Sequence, residues 1–266
     1  MYKRQLLGYV AASSWPHCYN FSEVEKKEDA RKKQDAKLQT AKKYIELLQP
    51  KYYIPFAGRY TLCGKNAVLN PYRGEPELGD ADEWLRNNID QKKHYGIILN
   101  DDCWLDIDTG NTSKNYVPIN KNEKKDYVNN ILSRKKLPYE NEPIPITSEI
   151  LGLIPKAYEN FEKIRRKIGW ISDVTIILKT TNDDGLIIAI SCNGNGFSKI
   201  SNDDIKKYKV RMILSLDIRL LKWLLYGPDK AHWSDADLGS HLRYERIGSV
   251  YKRGLFYCWN HFCAVT

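Results

Sequence analysis

A long charged helix between two strand-like segments is the feature that most restricts how this chain can fold. Residues 6–10 indicate a short buried strand, residues 23–48 have the periodicity of an amphipathic helix, and KYYI at 51–54 indicates a second strand. The predicted apolar side of the helix consists of Ala30, Leu38, Ala41, Ile45 and Leu48, and Pro50 ends it. Two strands joined by a helix usually lie parallel, so the pattern predicts an α/β layer. The charge run on the helix is interpreted as a solvated face.

The segments that follow complete a first domain over residues 1–110. A loop rich in Gly, Asn and Pro leads to a helix near Asp80. YGIILN (95–100) and CWLDID (103–108) then predict an antiparallel pair. Residues 111–146 are polar, contain four prolines and one charged helix at about 121–136, and are interpreted as a connecting region.

Residues 147–266 predict a smaller α+β domain. Apolar residues at helical spacing follow Thr147, and two β-branched runs around residues 182–185 predict a hairpin. YKVRMILSL (208–216) predicts a third strand, and Asp217 can cap an apolar helix over 218–225. A strand in SHLRYER (240–246) and an aromatic C-terminal helix complete the pattern. The predicted fold class is therefore α/β plus α+β.

Charge favours a small anionic ligand over nucleic acid. The 266 residues include 42 Lys and Arg against 33 Asp and Glu, for a net charge of +9. Because the two signs are interleaved and form no stripe typical of DNA-binding surfaces, we expect no nucleic-acid partner. The six cysteines form no C-x-x-C pair, and neither a signal peptide nor an apolar run of membrane length is present. These features predict a cytoplasmic protein with free thiols and no membrane partner.

Common catalytic and phosphate-binding motifs are absent from the sequence. The five histidines form no H-x-H, H-x-x-x-H or H-E-x-x-H pair, and there is no G-x-G-x-x-G, P-loop or G-x-S-x-G motif. The glycine-rich CNGNG (192–196) leads into Phe197 and Ser198 without a helix pattern, so it is interpreted as a turn.

The strongest candidate site lies after the two predicted parallel strands. The carboxyl ends of parallel strands meet at one edge of a sheet, so His17 and the residues after KYYI are expected to lie close together. Arg59, Tyr60, Asn70 and Arg73 could then bind a phosphate or sugar through cations and hydrogen-bond donors. The alternative is that residues 55–58 only turn the chain and that Arg59 pairs with an acid.

A second polar block, at residues 231–262, contains His232, His241, Arg243 and Arg246 between two apolar helices. We interpret it as aromatic, histidine and arginine packing that orients the last helix.

Two parts of the chain resemble a known family. LLGYVAASSWPHCY (6–19), QPKYYIPFAGRY (49–60) and LNPYRG (69–74) resemble the later part of metallo-β-lactamase-fold proteins related to CMP-N-acetylneuraminate hydroxylase and UDP-N-acetylmuramate hydroxylase. Residues 220–257 resemble the tail module of the same bacterial proteins, which is similar to a sterol-carrier-protein domain. The resemblance implies the second half of a metallo-β-lactamase-like αβ/βα sandwich, followed by this tail domain.

The resemblance also implies a metal-dependent enzyme that hydroxylates or hydrolyses a sugar nucleotide. The H-x-H-x-D-H metal motif of the family is absent, no Rieske segment is found, and Phe56 stands where many relatives carry a histidine ligand. A phenyl ring cannot ligate a metal. We therefore expect the chain to bind no metal alone, to represent a C-terminal portion, and to be inactive without an N-terminal partner.

Two other functions remain open. The chain could be a non-enzymatic binding or interaction module, or a hydrolase whose metal site is built from His17, Asp101, Asp106 and Asp108. The expected ligand of the enzyme-like chain is an anionic small molecule such as a sugar nucleotide. A binding module would instead present an apolar or partner surface on its second domain, with the first domain as its scaffold. Because half a sandwich exposes apolar surface, association with a partner chain or a second copy is also expected.

Overall fold

The computed structural model describes residues 4–56, 59–182, 185–248, 250 and 252–265. It is a mixed α/β protein with two separate sheets. Residue contacts divide it into two units. Unit 1 contains the described residues up to His17 together with Phe21–Lys135, and unit 2 contains Cys18–Asn20 and the described residues from Lys136 onward. Residues 111–135 of the predicted connecting region thus belong to unit 1, and residues 136–146 belong to unit 2.

Unit 1 is built on a small parallel sheet. Its elements are β1 (Arg4–Gly8), α1 (Glu23–Leu48), β2 (Tyr52–Phe56), α2 (Leu78–Asn88), β3 (Tyr95–Gly96) and α3 (Lys121–Asn130), with 3₁₀ helices at Gly64–Tyr72 and Leu132–Arg134. The strand order is β1-β2-β3, and both neighbouring pairs are parallel. The predicted strand–helix–strand layer is confirmed.

Helix α1 forms because its ends are capped and one side is apolar. The Ser22 side chain accepts the Glu25 amide N–H, and the Glu25 carboxylate accepts the Ser22 amide N–H at 2.8 Å. Ala30, Leu38, Ala41 and Ile45 are buried, as the periodicity predicts. Leu48 is exposed, because it is the last residue of the helix and lies beyond the stripe that meets the sheet.

One face of the sheet meets the helices, and the other carries the more exposed side chains. The core of unit 1 contains Leu7 and Tyr53 from the sheet, packed with Leu38, Ile45 and Leu85 from α1 and α2. The other face presents Leu6, Phe56 and Tyr95, each more than half exposed. The expected exposed apolar surface is therefore present, whereas association through it stays a prediction.

The predicted antiparallel pair at 95–108 is wrong. Tyr95 and Gly96 pair in parallel with Tyr52 and Tyr53, so this segment extends the first sheet. Residues 103–108 form no strand, and only Leu105 makes an isolated bridge, with Thr112. The charged helix of the predicted connecting region is α3, and it ends at Asn130, six residues before the predicted end.

Unit 2 contains a mixed five-stranded sheet. Its elements are α4 (Thr147–Lys167), β4 (Thr175–Thr181), β5 (Ile187–Ser191), β6 (Phe197–Lys199), β7 (Arg211–Asp217), α5 (Ile218–Leu225), α6 (Trp233–Leu238), β8 (Arg243–Ile247) and α7 (Arg253–Trp259), with 3₁₀ helices at Pro138–Asn141 and Asp203–Lys207. The strand order is β6-β5-β4-β7-β8, and only the β4–β7 pair is parallel.

Most of the predicted elements of unit 2 are confirmed. Strands β4 and β5 form the hairpin with Ile176 opposite Ile190, although Asp183 and Asp184 of its turn lie outside the described residues. The Asp217 side chain caps α5 by accepting the Arg219 amide N–H at 3.0 Å. The aromatic C-terminal helix is present as α7, which is shorter than predicted.

A short segment near the start of the chain completes the edge of this sheet. The Tyr244 amide N–H donates to the Cys18 carbonyl at 2.9 Å, and the Asn20 amide N–H donates to the Tyr244 carbonyl at 2.9 Å. The Tyr19 and Tyr244 rings stack with centroids 5.0 Å apart. Residues 18–20 therefore lie beside β8 and belong to unit 2. Among the described residues, no helix is long and apolar enough to cross a membrane.

Candidate functional site

Three of the five predicted site residues line one cavity in unit 1. This basic cavity, of about 330 Å³, is lined by residues that include Arg59, Asn70 and Arg73. Tyr60 does not line it but lies beneath Arg73, whose guanidinium carbon is 3.8 Å from the centroid of the Tyr60 ring. His17 is fully buried and does not line the cavity.

Asn70 shapes the cavity wall through its side-chain amide. Its Oδ1 accepts the Leu62 amide N–H at 2.9 Å, and its Nδ2 donates to the carbonyls of Leu62 at 3.0 Å and Ala67 at 2.9 Å. These bonds hold the chain after β2 against the 3₁₀ helix Gly64–Tyr72. Asn70 therefore positions the wall, since both of its polar atoms are engaged within the loop.

The backbone conformation and the close packing at position 74 require the glycine of LNPYRG. Gly74 has a φ of +67°, and a Cβ placed on it would lie 2.4 Å from the Ala30 carbonyl oxygen of α1. Only glycine tolerates both the left-handed backbone and this close approach. The chain that carries Arg73 is thereby fixed against α1.

Arg59, Glu77 and Lys124 form an ion-pair triad in the cavity. Arg59 binds both carboxylate oxygens of Glu77, with Nη2 2.8 Å from Oε1, and the Lys124 Nζ lies 2.8 Å from the same Oε1. Burial alone would raise the pKa of Glu77, but hydrogen bonds from Arg59 and Lys124 outweigh it and lower this pKa to about 2. The alternative that Arg59 pairs with an acid is confirmed.

Arg73 and Glu75 form a second, more deeply buried pair. The side chains of Arg73 and Glu75 are only 5% and 2% exposed. Burial raises the pKa of Glu75 even though the Arg73 guanidinium opposes this shift. Lys33 of α1 holds the backbone here by donating to the carbonyls of Trp15 at 2.9 Å and Arg73 at 2.8 Å.

The lining carries an excess of positive charge. Its described cations are Arg59, Arg73, Lys121, Lys124 and Lys125, and its described carboxylates are Glu75 and Glu77. Lys121 pairs with Asp80 just outside the cavity, at 2.8 Å. Lys125 makes no ion pair with any described residue. All three lysines come from α3, which sequence reasoning placed in a connecting region and did not assign to the site.

Among the described residues, no group of three or more His, Cys, Asp and Glu side chains could hold a metal ion. The predicted set of His17, Asp101, Asp106 and Asp108 does not come together as such a group. Asp106 instead closes a turn, because its Oδ1 accepts the amide N–H of Asp108 at 2.8 Å and of Thr109 at 3.1 Å. The contacts of these residues give no support to the metal-site hypothesis.

Phe56 is the last residue of β2, and its ring is 53% exposed on the more exposed face of the sheet. Its side chain therefore offers no donor atom at the position where the resemblance implies a metal ligand.

The second polar block has the structural roles that were predicted for it. His232 caps α6 by accepting the Ser234 amide N–H at Nδ1, at 3.2 Å. His241 lies edge-on to Tyr139 with ring centroids 5.6 Å apart. Arg243 donates to the Ser240 carbonyl at 2.8 Å. Arg246 lies over the rings of Tyr19 and, in α7, of Phe256, at 4.5 and 5.8 Å from their centroids.

The CNGNG segment is the predicted turn. It joins β5 to β6, and Gly194 and Gly196 adopt positive φ values of 92° and 88°.

Comparison of the chain with protein-family models, with curated proteins and with solved structures gave no match. The resemblance to metallo-β-lactamase-fold proteins thus depends on the quoted motifs alone.

Proposed function

We propose that unit 1 binds a small anionic molecule, such as a phosphorylated sugar, in the basic cavity. The observation that carries this proposal is the excess of cations in the lining, where five face two carboxylates. The volume of about 330 Å³ lies at the lower end of the range of small-molecule sites, which is roughly 300–1,000 Å³. Only part of a sugar nucleotide would fit inside the basic cavity.

The arginines and the lysines have different roles in this proposal. Arg59 and Arg73 are held by their own carboxylates, so they fix the floor of the cavity. Lys124 can turn from Glu77 to a ligand anion, because Arg59 continues to neutralise both Glu77 oxygens. Lys125 has no ion pair to break with any residue that the structure describes. We therefore assign direct contact with the ligand anion to Lys124 and Lys125.

Calorimetric titration of the full chain with glucose 1-phosphate, inorganic phosphate and UDP-N-acetylglucosamine at low ionic strength tests this proposal. Replacing Lys124 and Lys125 by Gln together is expected to weaken glucose 1-phosphate binding about tenfold or more, since each charge-assisted hydrogen bond contributes about 1.5–3 kcal/mol. Binding should also weaken as salt rises. The matched control is Lys27→Gln with Lys43→Gln, which removes two exposed charges from α1.

Equal weakening by the two double variants would mean that only net charge attracts the anion, and the cavity would not be its site. The absence of heat with all three compounds would refute an anion site in unit 1. Retained binding in high salt would argue against the assignment to the two lysines.

On the motif resemblance we further propose that unit 1 is the second half of a metallo-β-lactamase-like αβ/βα sandwich, and that unit 2 is a sterol-carrier-protein-like domain. The parallel β1–α1–β2 arrangement supports the first assignment, and the mixed sheet with packed helices supports the second. A hydroxylase or hydrolase activity stays a prediction from these motifs. Ligand binding without chemistry is the function that the cavity supports best.

A further inference from the structure

A second cavity lies in unit 2, and most of its lining comes from the 231–262 block. It has a volume of about 200 Å³ and is bounded by α6, α7 and strands β7 and β8. We call it the aromatic cavity, after four of its lining residues, Trp233, Tyr244, Phe256 and Trp259. The histidines and arginines of this block have packing roles. Those roles do not explain why its aromatic residues leave this cavity between them.

The aromatic walls are held rigidly. Trp233 donates its indole N–H to the Phe262 carbonyl at 2.7 Å, and its ring centroid is 4.8 Å from that of Trp259. Trp259 stacks on Phe262 with ring centroids 4.5 Å apart and an interplanar angle of 9°. Both tryptophans are at most 4% exposed. Rings fixed in this way present electron-rich faces to a ligand and lose little entropy when it binds.

A single carboxylate, that of Asp237, lies among these rings. Its Oδ1 accepts a hydrogen bond from the Tyr244 hydroxyl at 2.6 Å. Asp237 makes no ion pair with any residue that the structure describes, and Oδ2 has no hydrogen-bond donor among them. Arg246 binds the Tyr19 hydroxyl and lies over the Phe256 ring, 5.8 Å from its centroid.

A half-buried carboxylate in apolar surroundings is costly unless a cation compensates its charge. Aromatic rings together with one carboxylate favour a cation that is itself partly apolar, because ring faces attract positive charge and methyl groups fill the apolar volume. A strongly hydrated metal ion would gain little from such walls. A neutral apolar molecule would bring no counter-ion for Asp237, and the described lining contains no cationic side chain.

We propose that the aromatic cavity binds a small alkylammonium ion, with its positive charge beside Asp237 and its methyl or methylene groups against the aromatic rings. The volume of about 200 Å³ admits a compact quaternary ammonium or a short protonated amine but not a long chain. This site is independent of the basic cavity, which would repel such a cation.

The experiment titrates the full chain with choline and with 3,3-dimethylbutan-1-ol, a neutral molecule of the same shape, while tryptophan fluorescence and calorimetry report binding. Choline is expected to bind at least tenfold more tightly than the neutral alcohol. Asp237→Asn should remove most of this difference, since an amide keeps the acceptor for Tyr244 but not the charge. Asp235→Asn, on the exposed side of the same helix, is the matched control and should bind choline as the unaltered chain does.

Phe256→Leu provides a second variant, because it keeps apolar volume and removes a ring. It is expected to weaken choline binding several-fold, with the melting temperature showing that unit 2 remains folded. Equal binding of choline and the neutral alcohol would overturn the proposal. So would unchanged choline binding in Asp237→Asn, or no choline binding by the folded, unaltered chain.

Discussion

Replacing Glu77 by Gln tests whether the Arg59–Glu77–Lys124 triad stabilises unit 1. The pKa of Glu77 falls from 4.5 to about 2 in the folded chain. At about 1.36 kcal/mol for each pKa unit, this fall corresponds to about 3 kcal/mol of stability near pH 7. The Glu77 side chain is 20% exposed, so solvent screening reduces the expected contribution to about 1–2 kcal/mol.

The sign of the pH dependence follows from the direction of the shift. Because the folded-state pKa lies below the unfolded value, the stabilisation is fully present above about pH 5. It is lost as the pH falls from there towards 2, when the carboxylate must be protonated. Glu77→Gln has no group to titrate, so its deficit relative to the unaltered chain should shrink over the same range.

Urea unfolding of both proteins at pH 7 and at pH 3.5 measures this deficit. Glu83→Gln is the matched control, since Glu83 is an exposed residue of α2 and its replacement changes the net charge equally. The reasoning is refuted if Glu77→Gln is no less stable than Glu83→Gln at pH 7. A deficit that stays constant between the two pH values would show that the loss is one of packing and not of charge.

Four further substitutions test the packing and the helix propensity by thermal and urea unfolding. Leu85→Ala should cost about 2–5 kcal/mol, because it opens a cavity in the core of unit 1, whereas Leu47→Ala, at a residue 67% exposed, should cost less than about 0.5 kcal/mol. Gly96→Ala should destabilise by about 2 kcal/mol, since its Cβ would lie 2.5 Å from the Tyr53 hydroxyl oxygen. Gly152→Ala, in α4 with nothing within 4 Å of the added atom, should stabilise by about 0.5–1 kcal/mol. An equal effect of the two leucine variants, or of the two glycine variants, would contradict the packing described.

Features of the fold that depend on local signals could be predicted from the sequence. Helix α1 is specified by Ser22, Glu25 and an apolar stripe, and α5 by the Asp217 cap, all within a few residues of the element. The partner of β3 could not be predicted in this way. Tyr95 donates to the Lys51 carbonyl at 2.8 Å, a contact made across 44 residues, and nothing near Tyr95 encodes it.

The same distinction applies to the sites. Arg59 and Arg73 could be predicted because both lie in the segment that follows β2, and the structure brings both to the basic cavity. Lys124 lies 51 positions after Arg73 and reaches that cavity from α3 together with Lys125, so proximity in sequence gave no signal. Asp237 lies in a block whose residues were interpreted as packing. A cavity forms where packed side chains leave space, and the order of residues along the chain does not show where this happens.

The pairing of residues 18–20 with β8 has a consequence for how the chain folds during synthesis. Asn20 and its side-chain partner Glu245 are 225 positions apart. This edge of the sheet cannot form until β8 has been synthesised, and closing so long a loop slows folding. Cleavage of the chain between Lys135 and Lys136 would also separate residues 18–20 from β8. A fragment that begins at Lys136 would therefore expose the outer edge of β8, a template for pairing with other chains.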